Sequence, residues 1–68
     1  MENKFKDNFK YLRIEKEIGQ EKLAKELGVS KGVISMWENG KREPTMSSLI
    51  TIAKYFNVSI DYLVGLED

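Results

Sequence analysis

The 68-residue chain contains no histidine and no cysteine. The side chains that most often serve as nucleophile, general base or zinc ligand are therefore missing, and the carboxylates are scattered as helix-surface charges rather than paired. No catalytic role is expected on those grounds, and the chemistry left open is recognition. The residue types that suit it collect between positions 30 and 42: Ser30, Lys31, Gly32, Val33, Ser35, Met36, Asn39, Lys41 and Arg42. With Ile34 and Trp37 turned inward on a helix, a period of 3.6 residues puts Gly32, Ser35, Met36 and Asn39 on the opposite side. Lys31 then projects from the first turn.

An α-helix fits the major groove of DNA, whose base edges offer acceptors, donors and one apolar group, the thymine methyl. Lys31 suits guanine O6 and N7, or a phosphate. Met36 suits a thymine methyl, against the plainer reading of a surface methionine. Gly32 either permits close backbone approach or simply lacks a contact, and it costs about 1 kcal/mol of helix propensity relative to alanine. Ser35 can bond a base or a phosphate, and Val33, on the flank, either touches a thymine methyl or packs. Phosphate contacts are expected to frame this helix. Gln20 opens the preceding helix, where free backbone N–H groups attract an anion and the side-chain amide adds a donor. After the recognition helix, Asn39 and Gly40 make a flexible turn, and Lys41 and Arg42 add two cations.

Positioning such a face takes two short helices and a tight turn. Ala24 is the small residue where the helices touch, Gly28 the backbone-permissive residue that ends the first, and Ile34 the apolar lock of the second; Leu27-Gly28-Val29 has the length of a helix-turn-helix connection. Around this motif, residues 20–39, one device recurs. Ile18-Gly19 with Leu23, Val29-Ser30 with Ile34, Pro44-Thr45 with Leu49, and Val58-Ser59 with Leu63 each match a hydrophobic staple around an N-cap. Phe5, Phe9 and Leu12 give a first amphipathic helix. Gly28, Asn39-Gly40, Asn57 and Gly65 mark ends. These signals predict an all-α chain with helices at 5–17, 20–27, 31–39, 46–56 and 60–66. The expected core is Phe9, Leu12, Ile18, Leu23, Ala24, Leu27, Val29, Ile34, Trp37, Leu49, Ile52, Ala53, Phe56, Val58 and Leu63.

The stretch Gln20 to Gly40, with the Trp37-Glu38 pair, Pro44 and the ending VSIDYLVG at 58–65, resembles the helix-turn-helix family of lambdoid phage repressors and Cro proteins, the Xre-type transcriptional regulators. The resemblance covers roughly residues 9–66. It implies a compact five-helix, lambda-repressor-like domain, and a regulator of transcription that binds double-stranded DNA. It also implies an ion pair between Arg13 and Glu38, and a two-fold homodimer through the C-terminal region on a palindromic operator. Ile60, Val64 and Leu66 are apolar beyond the needs of the core and are the candidates for that interface; capping a small core is the other reading. Glu67 and Asp68 would keep this end off DNA. Gly19 departs from the Ser, Thr or Asn that the family usually places at that cap.

Composition sets the outer bounds. Sixty-eight residues with 41% hydrophobic content make one domain, 1–68, burying only about 60% of its unfolded surface. No ligand-sensing second domain is expected. No cofactor, metal or small-molecule ligand is expected. No apolar run nears the roughly 20 residues of a membrane span, and the N-terminus lacks a signal-peptide core, so a cytoplasmic location is expected. Eleven basic and eleven acidic residues cancel, whereas nucleic-acid binders are usually basic. The balance is uneven: residues 1–44 carry ten basic against eight acidic, and 45–68 carry one against three. The competing function is a protein-interaction module on the same fold, an antirepressor or bridging domain. No aromatic platform for RNA bases lies outside the expected core.

Overall fold

The computed structural model describes residues 3–66, and the acidic pair Glu67-Asp68 lies outside them. Five α-helices make up the fold: α1 Phe5–Glu15, α2 Gln20–Leu27, α3 Lys31–Glu38, α4 Met46–Phe56 and α5 Ile60–Val64. No strand occurs among the described residues.

The starts follow the caps that the sequence offers. Ser30 Oγ accepts from Val33 N at 3.2 Å, Thr45 Oγ1 from Ser48 N at 3.1 Å, and Ser59 Oγ from Tyr62 N at 2.9 Å. Each satisfies one backbone donor that the first turn leaves open. Gly19 has the extended backbone of a cap and no side chain to complete it.

All five helices end in the same way, on one residue of positive φ: Glu17, Gly28, Gly40, Asn57 and Gly65. After α1, Glu17 N donates to Ile14 O at 2.9 Å and Ile18 N to Arg13 O at 3.3 Å, and the other four ends repeat this i−3, i−5 pairing. These paired bonds close carbonyls that a helix end leaves open. They also correct three expected boundaries. α1 stops at Glu15 rather than residue 17 because Glu17 turns left-handed at φ 58°. α3 stops at Glu38, one residue early, and α5 at Val64, because Gly65 at φ 88° sends Leu66 N back to Asp61 O.

The helices close around Phe9, Leu23, Ile34, Ile52 and Leu63, each fully buried and each stabilising the fold by about 2 kcal/mol. Every residue of the expected core is buried or packs against the buried cluster. Phe5, Tyr55 and Ile60 join it as well, although the sequence reading left them out. Phe5 stacks on Phe9 at 5.2 Å, and Trp37 meets both rings edge-on, an arrangement suited to aromatic quadrupoles. α1 packs against α3 and α5, α2 against α3 and α4, and α4 against α5. Asn8 Nδ2 donates to Tyr62 O at 2.8 Å and Lys4 N to Val64 O at 3.1 Å, tying the first helix to the last.

Candidate nucleic-acid interface

Helix α3 is fixed from behind. Ile34 and Trp37 are buried in the core, and Val33 is half-buried against it. Trp37 is thus a core ring rather than a platform for bases. Its Nε1 finds no partner among the described residues, a desolvation cost of about 1–3 kcal/mol.

The C-terminal end of α3 is held by charge. Glu38 is buried, and Arg13 grips it with two nitrogens: Nε to Oε2 at 2.5 Å and Nη2 to Oε1 at 3.1 Å. Arg13 Nη1 also donates to Ile18 O at 2.9 Å. This bidentate geometry fixes orientation as well as distance. The ion pair implied by the family resemblance is present, and it joins α1 to α3. The same carboxylate accepts from Gln20 Nε2 at 3.1 Å. One hydrogen of the Gln20 amide is therefore engaged inside the protein.

On the outward side, Ser30, Lys31, Gly32 and Asn39 are exposed, while Ser35 and Met36 are half-buried. Met36, expected as a surface methionine, lies partly covered. Val33 packs in part against the core. Asn39 Nδ2 donates to Ser35 Oγ at 3.3 Å, so these two candidates form one unit. Lys41 and Arg42 are exposed beyond the turn.

A further residue enters that the sequence analysis did not single out. Lys6 of α1 crosses Gly40 so closely that a methyl group there would stand 2.9 Å from Lys6 Cδ. It lines an open groove of about 270 Å3 together with Asn39, Gly40, Arg42 and Glu43. Nothing in the spacing of Lys6 distinguishes it from the other lysines of α1; only the packing of α1 on α3 brings it there. Among the described residues the groove's one carboxylate is Glu43, which accepts from Asn3 Nδ2 at 2.9 Å.

The three candidates for self-association separate. Ile60 packs on the core, Val64 is half-buried beside Pro44 and Leu49, and Leu66 is 76% exposed. Ile60 is thus partly taken up by the core. Among the described residues, no cluster of three or more ligating side chains could hold a metal, and no helix is long and apolar enough to cross a membrane.

A capped two-helix unit with a rigid second helix and a polar outward face defines a helix-turn-helix domain. The helix-turn-helix family model matches residues 9–63, and the chain belongs to that family, in its Cro/C1-type branch of transcriptional regulators. It is 45% identical over 64 residues to the HTH-type transcriptional activator BcrR of Enterococcus faecalis, covering 94% of this chain but 31% of BcrR. It is 41% identical over 63 residues to the HTH-type transcriptional regulator MJ0272 of Methanocaldococcus jannaschii, covering 93% and 96%. Among solved structures, the P22 c2 repressor in complex with a synthetic operator matches with a TM-score of 0.86 and 32% identity, covering 93% and 96% of the two chains.

Proposed function

We propose that residues 1–68 act as one sequence-specific DNA-binding unit, placing α3 in the major groove of a palindromic operator as a homodimer and regulating transcription as a repressor. One observation carries this reading. Arg13, Ile34 and Trp37 immobilise α3 from behind, while Lys31, Gly32, Ser35, Met36 and Asn39 stand outside the core. A side-chain row held rigid by others is what base reading requires, because contacts to base edges are short and directional. Lys31 and the Ser35–Asn39 pair supply donors, and the exposed Ser30 hydroxyl lies beside them. Val33 acts indirectly, by seating the helix.

Phosphates are then held on both sides of α3. On one side stand the first N–H groups of α2 with the Gln20 amide, which Glu38 orients; on the other stand Asn39, Gly40, Lys41 and Arg42, joined by Lys6. Neutral overall charge supports modest nonspecific affinity, so discrimination rests on base contacts. The P22 c2 repressor, solved on its operator, supports duplex DNA as the ligand of this fold. The zero net charge favours the competing reading of a protein-interaction module.

Selection from a random duplex library at about 0.15 M salt, repeated with Lys31→Ala, separates the two. Enrichment of a palindrome with half-sites about one helical turn apart, and altered preference in the variant, is the expected result. No enriched sequence would sink the DNA reading and leave the interaction module.

A further inference from the structure

Gly32 has no structural reason to be glycine. Its backbone φ is not positive, and a Cβ placed there would meet only Ser30 Oγ, at an ordinary 3.7 Å. Alanine would be the better helix former at this position. The protein's own fold therefore gains nothing from the missing methyl group, and the space it leaves opens outward, at the N-terminal end of the face that α3 turns away from the core.

The walls of that space differ. Met36 lies one turn on, at i+4, where side chains on a helix are neighbours. It is the apolar side chain of α3 that the core does not take up, since Val33, Ile34 and Trp37 all pack inward. Across the notch, Ser35 and Asn39 are bonded to each other. The result is a floor without a side chain, one apolar wall and one polar wall.

We propose that this notch receives the 5-methyl group of a thymine, with the Met36 thioether packed against it. The inference rests on the reading that α3 enters the major groove. Thymine alone among the four bases presents an apolar group there. An amino group or carbonyl of another base, turned against Met36, would lose its water without gaining a partner. Met36 and Gly32 thus determine specificity, Met36 by contact and Gly32 by clearance.

The test replaces each thymine of the selected duplex by deoxyuridine, which removes the methyl group alone. In the parent, one position per half-site should cost about four-fold in affinity, and Met36→Ala should erase that penalty. Gly32→Ala should melt at a higher temperature yet bind the thymine duplex roughly ten-fold more weakly, recovering part of the loss on the deoxyuridine duplex. A parent that selects a sequence but tolerates deoxyuridine everywhere overturns the thymine notch and leaves DNA reading intact. So does Met36→Ala that stays as methyl-sensitive as the parent, or Gly32→Ala that binds the thymine duplex undiminished. Absence of any selected sequence overturns both readings.

Discussion

Arg13 and Glu38 are separated by 25 residues and meet in two hydrogen bonds, with 14% and 3% of their side chains exposed. Removing one partner strands a charge where little water reaches it, at a cost of about 3–5 kcal/mol, with the lower end suited to this partly accessible arginine. Glu38→Gln should therefore lower unfolding free energy by about 3 kcal/mol. Glu43→Gln, at an exposed site, should stay within about 0.5 kcal/mol. Urea titrations of the two variants decide the matter, and coincident midpoints would count against the junction.

Glu17 stands at φ 58° in a position that the other helix ends fill with glycine or asparagine. Left-handed backbone costs an ordinary L-residue about 1–2 kcal/mol, part of which glycine returns as unfolded-state entropy. Glu17→Gly should raise the melting temperature by about 4 °C. Asn57→Gly should gain less, because asparagine tolerates this region. A lower melting temperature for Glu17→Gly would overturn the strain argument.

These two sites also mark where the sequence is legible. Gly28, Asn57 and Gly65 carry their conformation in their residue type, and Ser30, Thr45 and Ser59 carry theirs in the staples around them, so helix existence and the motif could be read directly. Glu17 carries no such sign: its turn comes from Ile18 being drawn into the core. Phe5 was readable as an apolar stripe position but not as core, since Trp37, 32 residues on, supplies its cover. The bond from the Gln20 amide to Glu38 and the place of Lys6 over Gly40 could not be read, for one reason. Each finds its neighbour at or just beyond the C-terminal end of α3, and tertiary contacts of long polar side chains leave no periodicity to read.

Tyr55 donates its hydroxyl to Glu26, and that hydrogen bond, with desolvation and the carboxylate charge, pushes its pKa up to about 12 from 10.0. Because the folded value lies above the unfolded one, the unfolded chain gives up this proton first as pH rises. The contribution to stability is complete below pH 10 and is lost between about 10 and 12. Absorbance titration should find one tyrosine ionising late, and Tyr55→Phe should abolish that step and flatten stability over the same window. An unchanged late step in the variant would assign it elsewhere, with Tyr11, raised by its hydrogen bond to Glu15, the next candidate.

Leu66 separates self-association from folding. At 76% exposure it contributes little to the core, whereas Ile60 packs against it. Leu66→Lys should thus leave stability within about 0.5 kcal/mol, while Ile60→Lys should lower it. If the C-terminal end is the dimer face, Leu66→Lys should shift sedimentation toward the monomer and make operator binding depend more steeply on protein concentration, since DNA must then assemble the pair. Ile60→Lys alone cannot make this distinction, because loss of fold also abolishes association. A parent that sediments as a monomer both free and on DNA, or a Leu66→Lys dimer as tight as the parent's, would move the interface elsewhere. The exposed Tyr11 and Ile14 on α1 and Met46 and Ile50 on α4 would then be the next surfaces to substitute, since exposed apolar area is what a two-fold contact has to cover.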